Sequence, residues 1–101
     1  MNCENLNKGK EIKATVKHLT DRFGENSFKI QDNWNSDGNA IGLVDNEMKY
    51  LVYISTYDGE DFYVSLENLK TVGDFPYEAV ADFHNVNLEE LCKIFAQHLR
   101  I

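Results

Sequence analysis

Apolar residues recur at helical spacing near both ends of the chain and at strand spacing in between. Towards the N-terminus, Ile12, Val16, Leu19 and Phe23 stand four, three and four positions apart. That is one stripe of a 3.6-residue period, and it predicts an amphipathic helix over residues 8–23. Gly24 supplies the residue that most readily ends a helix. Lys17 and Arg22 lie towards the negative end of its dipole.

From residue 27 the period shortens to two. Residues 27–34 place Phe28, Ile30, Asp32 and Trp34 on one side, and Asp37 with Gly38 makes a strong hairpin signal. Residues 40–44 form a second strand, closed by Asp45 and Asn46. Residues 48–57 form the longest, apolar on both sides, with Met48, Tyr50, Val52 and Ile54 against Leu51, Tyr53 and Tyr57. Such a strand belongs at the centre of a sheet or under cover on both faces. Residues 58–61 turn the chain, and residues 62–67 run back with Phe62, Val64 and Leu66 on one side and Tyr63, Ser65 and Glu67 on the other. A three-residue loop puts Tyr57 on the side of Tyr63, whereas a two- or four-residue loop puts it with Phe62; the sequence leaves this register open.

Residues 68–76 read as a loop containing Gly73 and Pro76. The segment 77–86 alternates Tyr77, Ala79, Ala81 and Phe83, which favours a fifth strand over a short helix opened by Pro76. The last helix carries the strongest local signal. Asn87 is an N-cap with Glu90 three residues on, as in a capping box. Leu88, Leu91, Cys92, Phe95 and Leu99 form its apolar stripe. The predicted fold is α+β: an N-terminal helix, an antiparallel four- to five-stranded meander and a C-terminal helix, with both helices on one sheet face in a two-layer sandwich.

The chain's 101 residues suit a single domain spanning 1–101. Its apolar share of 43% is enough for one core, and its 12% aromatics argue against disorder. No apolar run, Leu51 to Ile54 included, approaches the roughly 18 residues of a membrane span. The N-terminal residues lack the apolar centre of a signal peptide, so the cytoplasm is the expected compartment. Cys3 and Cys92 stand in no metal or redox spacing and read as free thiols, Cys92 as core packing.

Charge changes the picture further. Residues 1–30 balance to +2 and residues 31–101 to −9, giving −7 for the chain. Phosphate neutralisation needs the opposite sign, so nucleic acid is not the expected partner. A basic protein is.

Little in the sequence carries catalytic chemistry. The six glycines form no phosphate-binding pattern, and His18, His84 and His98 lie far apart, two of them near helix C-termini where surface histidines are common. Asn33, Asn35, Asp37 and Gly38 follow the first half of a calcium loop, but Val44 stands where the bidentate Glu belongs. A polar hairpin turn explains this segment better. No cofactor and no metal site are expected.

What remains is a patch. Between residues 31 and 92, thirteen acidic residues meet only Lys49 and Lys70, and the same stretch holds all five tyrosines and Trp34. Tyr offers rigid contact area with a polar tip, as protein-binding surfaces use it. The candidate partner-binding residues are Asp58, Glu60, Asp61, Tyr63 and Glu67. The expectation is a non-catalytic protein-binding module, in its sharpest form an immunity- or antitoxin-type inhibitor of a basic toxin. The alternatives are a secretion-chaperone-like dimer holding an extended client, or a small ligand-binding domain or enzyme. The chain is expected as a monomer or homodimer.

Overall fold

A computed structural model describes residues 8–31, 38–57, 61–70 and 77–101. Helix α1 (Lys10–Phe23) leads into strands β1 (Phe28–Ile30), β2 (Ala40–Asp45), β3 (Tyr50–Tyr57), β4 (Asp61–Leu69) and β5 (Tyr77–Val86), and helix α2 (Leu88–Leu99) follows. The strands form one antiparallel sheet in chain order. This is the α+β meander that the hydrophobic pattern predicts.

Both helices lie on one face. Ile12, Val16 and Leu19 of α1 and Leu91, Cys92, Phe95 and Leu99 of α2 share a core with Phe28, Ile41, Leu43, Val52, Ile54, Phe62, Val64 and Val86. Phe95 sits at its heart, edge-on to Phe28 with ring centroids 5.1 Å apart and tilted against Phe23 at 5.7 Å. Burying such a ring stabilises by about 1.5–3 kcal/mol, and each aromatic pair adds about 0.5–1.5 kcal/mol. Among the described residues, no helix is long and apolar enough to cross a membrane.

The capping box of α2 is present in both directions: Glu90 N–H donates to Asn87 Oδ1 at 2.8 Å, and Asn87 N–H donates to Glu90 Oε1 at 3.4 Å. Gly24 ends α1 with φ +96°, a conformation that side chains resist, and its N–H donates to Thr20 O.

Four expectations are corrected. First, β3 begins at Tyr50 rather than Met48. Asp45 Oδ1 accepts the backbone N–H groups of Lys49 and Tyr50, and Met48 turns through φ +61°, so the turn takes these two residues from the strand. Second, β1 ends at Ile30, and β4 runs on to Leu69. Third, Leu88 is 38% exposed, because it opens α2 just beyond the sheet rather than over it. Fourth, the alternation in β5 does not keep one face. Leu66 pairs with Ala81 but Glu67 pairs with Ala79, so Val80 is an extra residue. Tyr77 and Ala79 therefore share a face with Glu67 and Leu69, while Ala81 and Phe83 lie on the helix side. A second shift falls between Phe83 and Val86, where Asn85 has φ +55°.

Tyr57 pairs with Asp61, so three residues separate β3 from β4. The calcium-like segment 32–37 lies outside the described residues.

Candidate functional site

In an antiparallel pair, directly opposite residues point to the same face. Phe62, Val64 and Leu66 face the helices, so Tyr63, Ser65 and Glu67 face away, as the alternation predicts. The same registers put Tyr53 and Ser55 of β3 and Asp82 of β5 on that side. Among the described residues this face carries no helix, but its middle is closed: Ala40, Val44 and Leu51 are fully buried, and so is nearly all of Ser65. Leu51 and Val44 lie outside the core cluster beneath the helices, so β3 is covered on both faces, as its pattern suggests.

Towards β4 and β5 the face opens into a connected aromatic and polar cluster. The rings of Tyr53 and Tyr63 meet edge to face at 6.0 Å, and His84 lies 4.9 Å from Tyr63. Tyr63 Oη donates to Asp82 Oδ2 at 3.4 Å, and His84 Nε2 stands 3.5 Å from the same oxygen. Both His84 and Asp82 are more than half exposed. Asp61 opens β4 exposed to solvent, and Glu67 lies half-buried towards the other end. Partial burial removes water from the Glu67 carboxylate and pushes its pKa up.

Of the sequence-predicted residues, the fold brings Asp61, Tyr63 and Glu67 onto one strand, Tyr63 and Glu67 on one face. Asp58 and Glu60 lie outside the described residues. Sequence reasoning missed Asp82, His84 and Tyr53. The signal for Tyr53 was its period-two place in β3. Asp82 and His84 were hidden by the extra residue at Val80, which reverses the face of everything after it.

His98 differs from a commonplace surface histidine. It is half-buried, edge-on to Tyr50, and its Nε2 lies 3.0 Å from Glu67 O. A carbonyl only accepts, so Nε2 carries the proton. Cys92 is buried in the core, and desolvation pushes its thiol pKa up. Among the described residues, no group of three or more His, Cys, Asp or Glu side chains is placed to hold a metal ion.

Compared with family models, with curated proteins and with solved structures, the chain matches none of them.

Proposed function

We propose that this chain is a non-catalytic protein-binding module that receives a basic protein on the helix-free face of β3–β5, and that it serves as an immunity- or antitoxin-type inhibitor of a basic toxin. The observation that carries the reading is the cluster of Tyr53, Tyr63, Asp82 and His84 between Asp61 and Glu67. Three carboxylates on β4 and β5 surround two tyrosines, and the lysine of the five strands, Lys29, lies on the far edge in β1. The tyrosines supply rigid area, and the carboxylates supply attraction for Lys and Arg.

The net charge of −7 acts at longer range. It draws a cationic partner in, raising the association rate in a way that salt suppresses. Once docked, carboxylates held by the sheet meet guanidinium or ammonium groups as charge-assisted hydrogen bonds.

The tagged chain, used as bait in lysate of its own source and washed at low then high salt, is expected to retain one basic protein in near-stoichiometric amount through the low-salt wash. The triple variant Asp61→Lys, Glu67→Lys, Asp82→Lys is expected to stay folded and to slow association by about tenfold or more, with a flatter salt dependence. An empty bait eluting as a dimer, or association unchanged in the triple variant, overturns the reading.

A further inference from the structure

The helix side of β5 holds a second surface, of opposite character. A cleft of about 410 Å³ runs between α2 and the strands β4 and β5. Its floor is apolar, formed by Leu66, Val80, Phe83 and Ile94. Val80 and Phe83 are 52% and 40% exposed, because α2 packs mainly over β3 and β4. Among the described residues, Arg100 is the one Lys, Arg, Asp or Glu that lines the cleft.

Arg100 is the cation that reaches this cleft. Lys17, Arg22 and Lys49 each hold a carboxylate. Among the described residues Arg100 holds none, and its guanidinium carbon stands 4.7 Å from the centre of the Tyr50 ring. Two acids, Asp45 and Glu47, line a neighbouring cleft together with Arg100. Both are engaged, Asp45 with the amides of Lys49 and Tyr50 and Glu47 with the Lys49 ammonium. Stacking on Tyr50 fixes the guanidinium while leaving its fork of N–H donors open to a ligand.

The backbone points the same way. Arg100 caps α2 in the left-handed region, φ +61° and ψ +48°, where Gly fits without cost and an Arg is strained. Strain of this kind collects at ligand clamps.

We infer that this cleft binds a small amphipathic carboxylate, an alkyl or aryl acid whose apolar body lies on Val80, Phe83, Leu66 and Ile94 and whose carboxylate takes the Arg100 guanidinium. The volume lies within the range of ligand sites, about 300–1,000 Å³. The cation selects the anion, and the apolar floor selects against small inorganic ions. This site is independent of the acidic face, which lies on the other side of the sheet.

The test compares three near-isosteric probes on the isotope-labelled chain by amide chemical-shift titration: 4-phenylbutyrate, 4-phenylbutyramide and 4-phenylbutylamine. The acid is expected to shift the amides of Leu66, Val80, Phe83, Ile94 and Arg100. A charge-assisted hydrogen bond makes the neutral amide bind about tenfold weaker or worse, and the amine weaker still. Arg100→Gln, an exposed change that leaves the fold intact, is expected to erase the preference for the acid. Val80→Asp is expected to weaken the acid by about tenfold or more, through loss of apolar contact and an added like charge. Equal binding of the three probes, an acid affinity untouched by Arg100→Gln, or shifts confined to other parts of the chain overturns the inference.

Discussion

Strands β3 and β5 belong to one sheet and are similar in length, eight and ten residues, yet they live in different solvents. In β3, Leu51, Val52 and Ile54 are fully buried. In β5 only Val86 is buried, and eight residues in succession are exposed. Propensity does not separate them, since both are rich in apolar residues and contain tyrosine. Position does. Among the described residues, β3 has a strand on each side and α2 packed over it, whereas β5 has one neighbouring strand and lies at the edge. The lesson is a division of labour: β3 holds the molecule together, and β5 presents it. Both proposed surfaces use β5, Asp82 and His84 on one side, Val80 and Phe83 on the other.

This contrast can be broken by substitution. The largest effect is expected for Phe95→Ala beneath the helix layer, about 3–5 kcal/mol of stability in urea unfolding. Ile54→Ala in β3 follows, at about 2–4 kcal/mol. If either variant unfolds at the wild-type midpoint, the core lies elsewhere. Asn87→Ala removes the cap at the junction of β5 and α2 and is expected to cost about 1 kcal/mol.

Glu67→Gln sharpens the comparison at the face itself. Burial raises the folded-state pKa of Glu67, so the folded chain binds its proton more tightly than the unfolded chain. Stability from this group is then greatest below the unfolded pKa and falls as pH rises through the folded one. The Gln variant is expected to melt slightly higher than wild type at pH 7, by less than about 1 kcal/mol, and to match it at pH 3. Equal melting at both values would place Glu67 in free solvent. The smallest effect is expected for Val80→Ala, within about 0.5 kcal/mol, because half of that side chain is already in water.

The capping box at Asn87 and Glu90 and the stripe Ile12, Val16, Leu19 were legible in the sequence because both arise within one element, from residues three or four apart. So was the inward face of β4, since Phe62, Val64 and Leu66 allow no other side. The face of β5 was not legible. An extra residue at Val80 is a property of how two strands pair, and no local spacing announces it. The exposure of Leu88 and the burial of His98 escaped for a related reason: each depends on where α2 sits along the sheet rather than on its own period. The acidic, tyrosine-rich character of the candidate site was visible in composition. Its assembly from Tyr53, Tyr63, Asp82 and His84 required the registers.

The two irregularities of β5 have a further consequence. An exposed strand edge is a row of unpaired amides and carbonyls, the template on which sheets of different molecules join and fibres grow. In β5 that row keeps step with β4 for only three pairs at a time, Tyr77 to Ala79 and Ala81 to Phe83, before an extra residue breaks it. A straight strand laid against it loses register after each short run. Among the described residues the edge is therefore a poor template for a straight incoming strand, and the bulges that hid its face from the sequence are what limit such pairing.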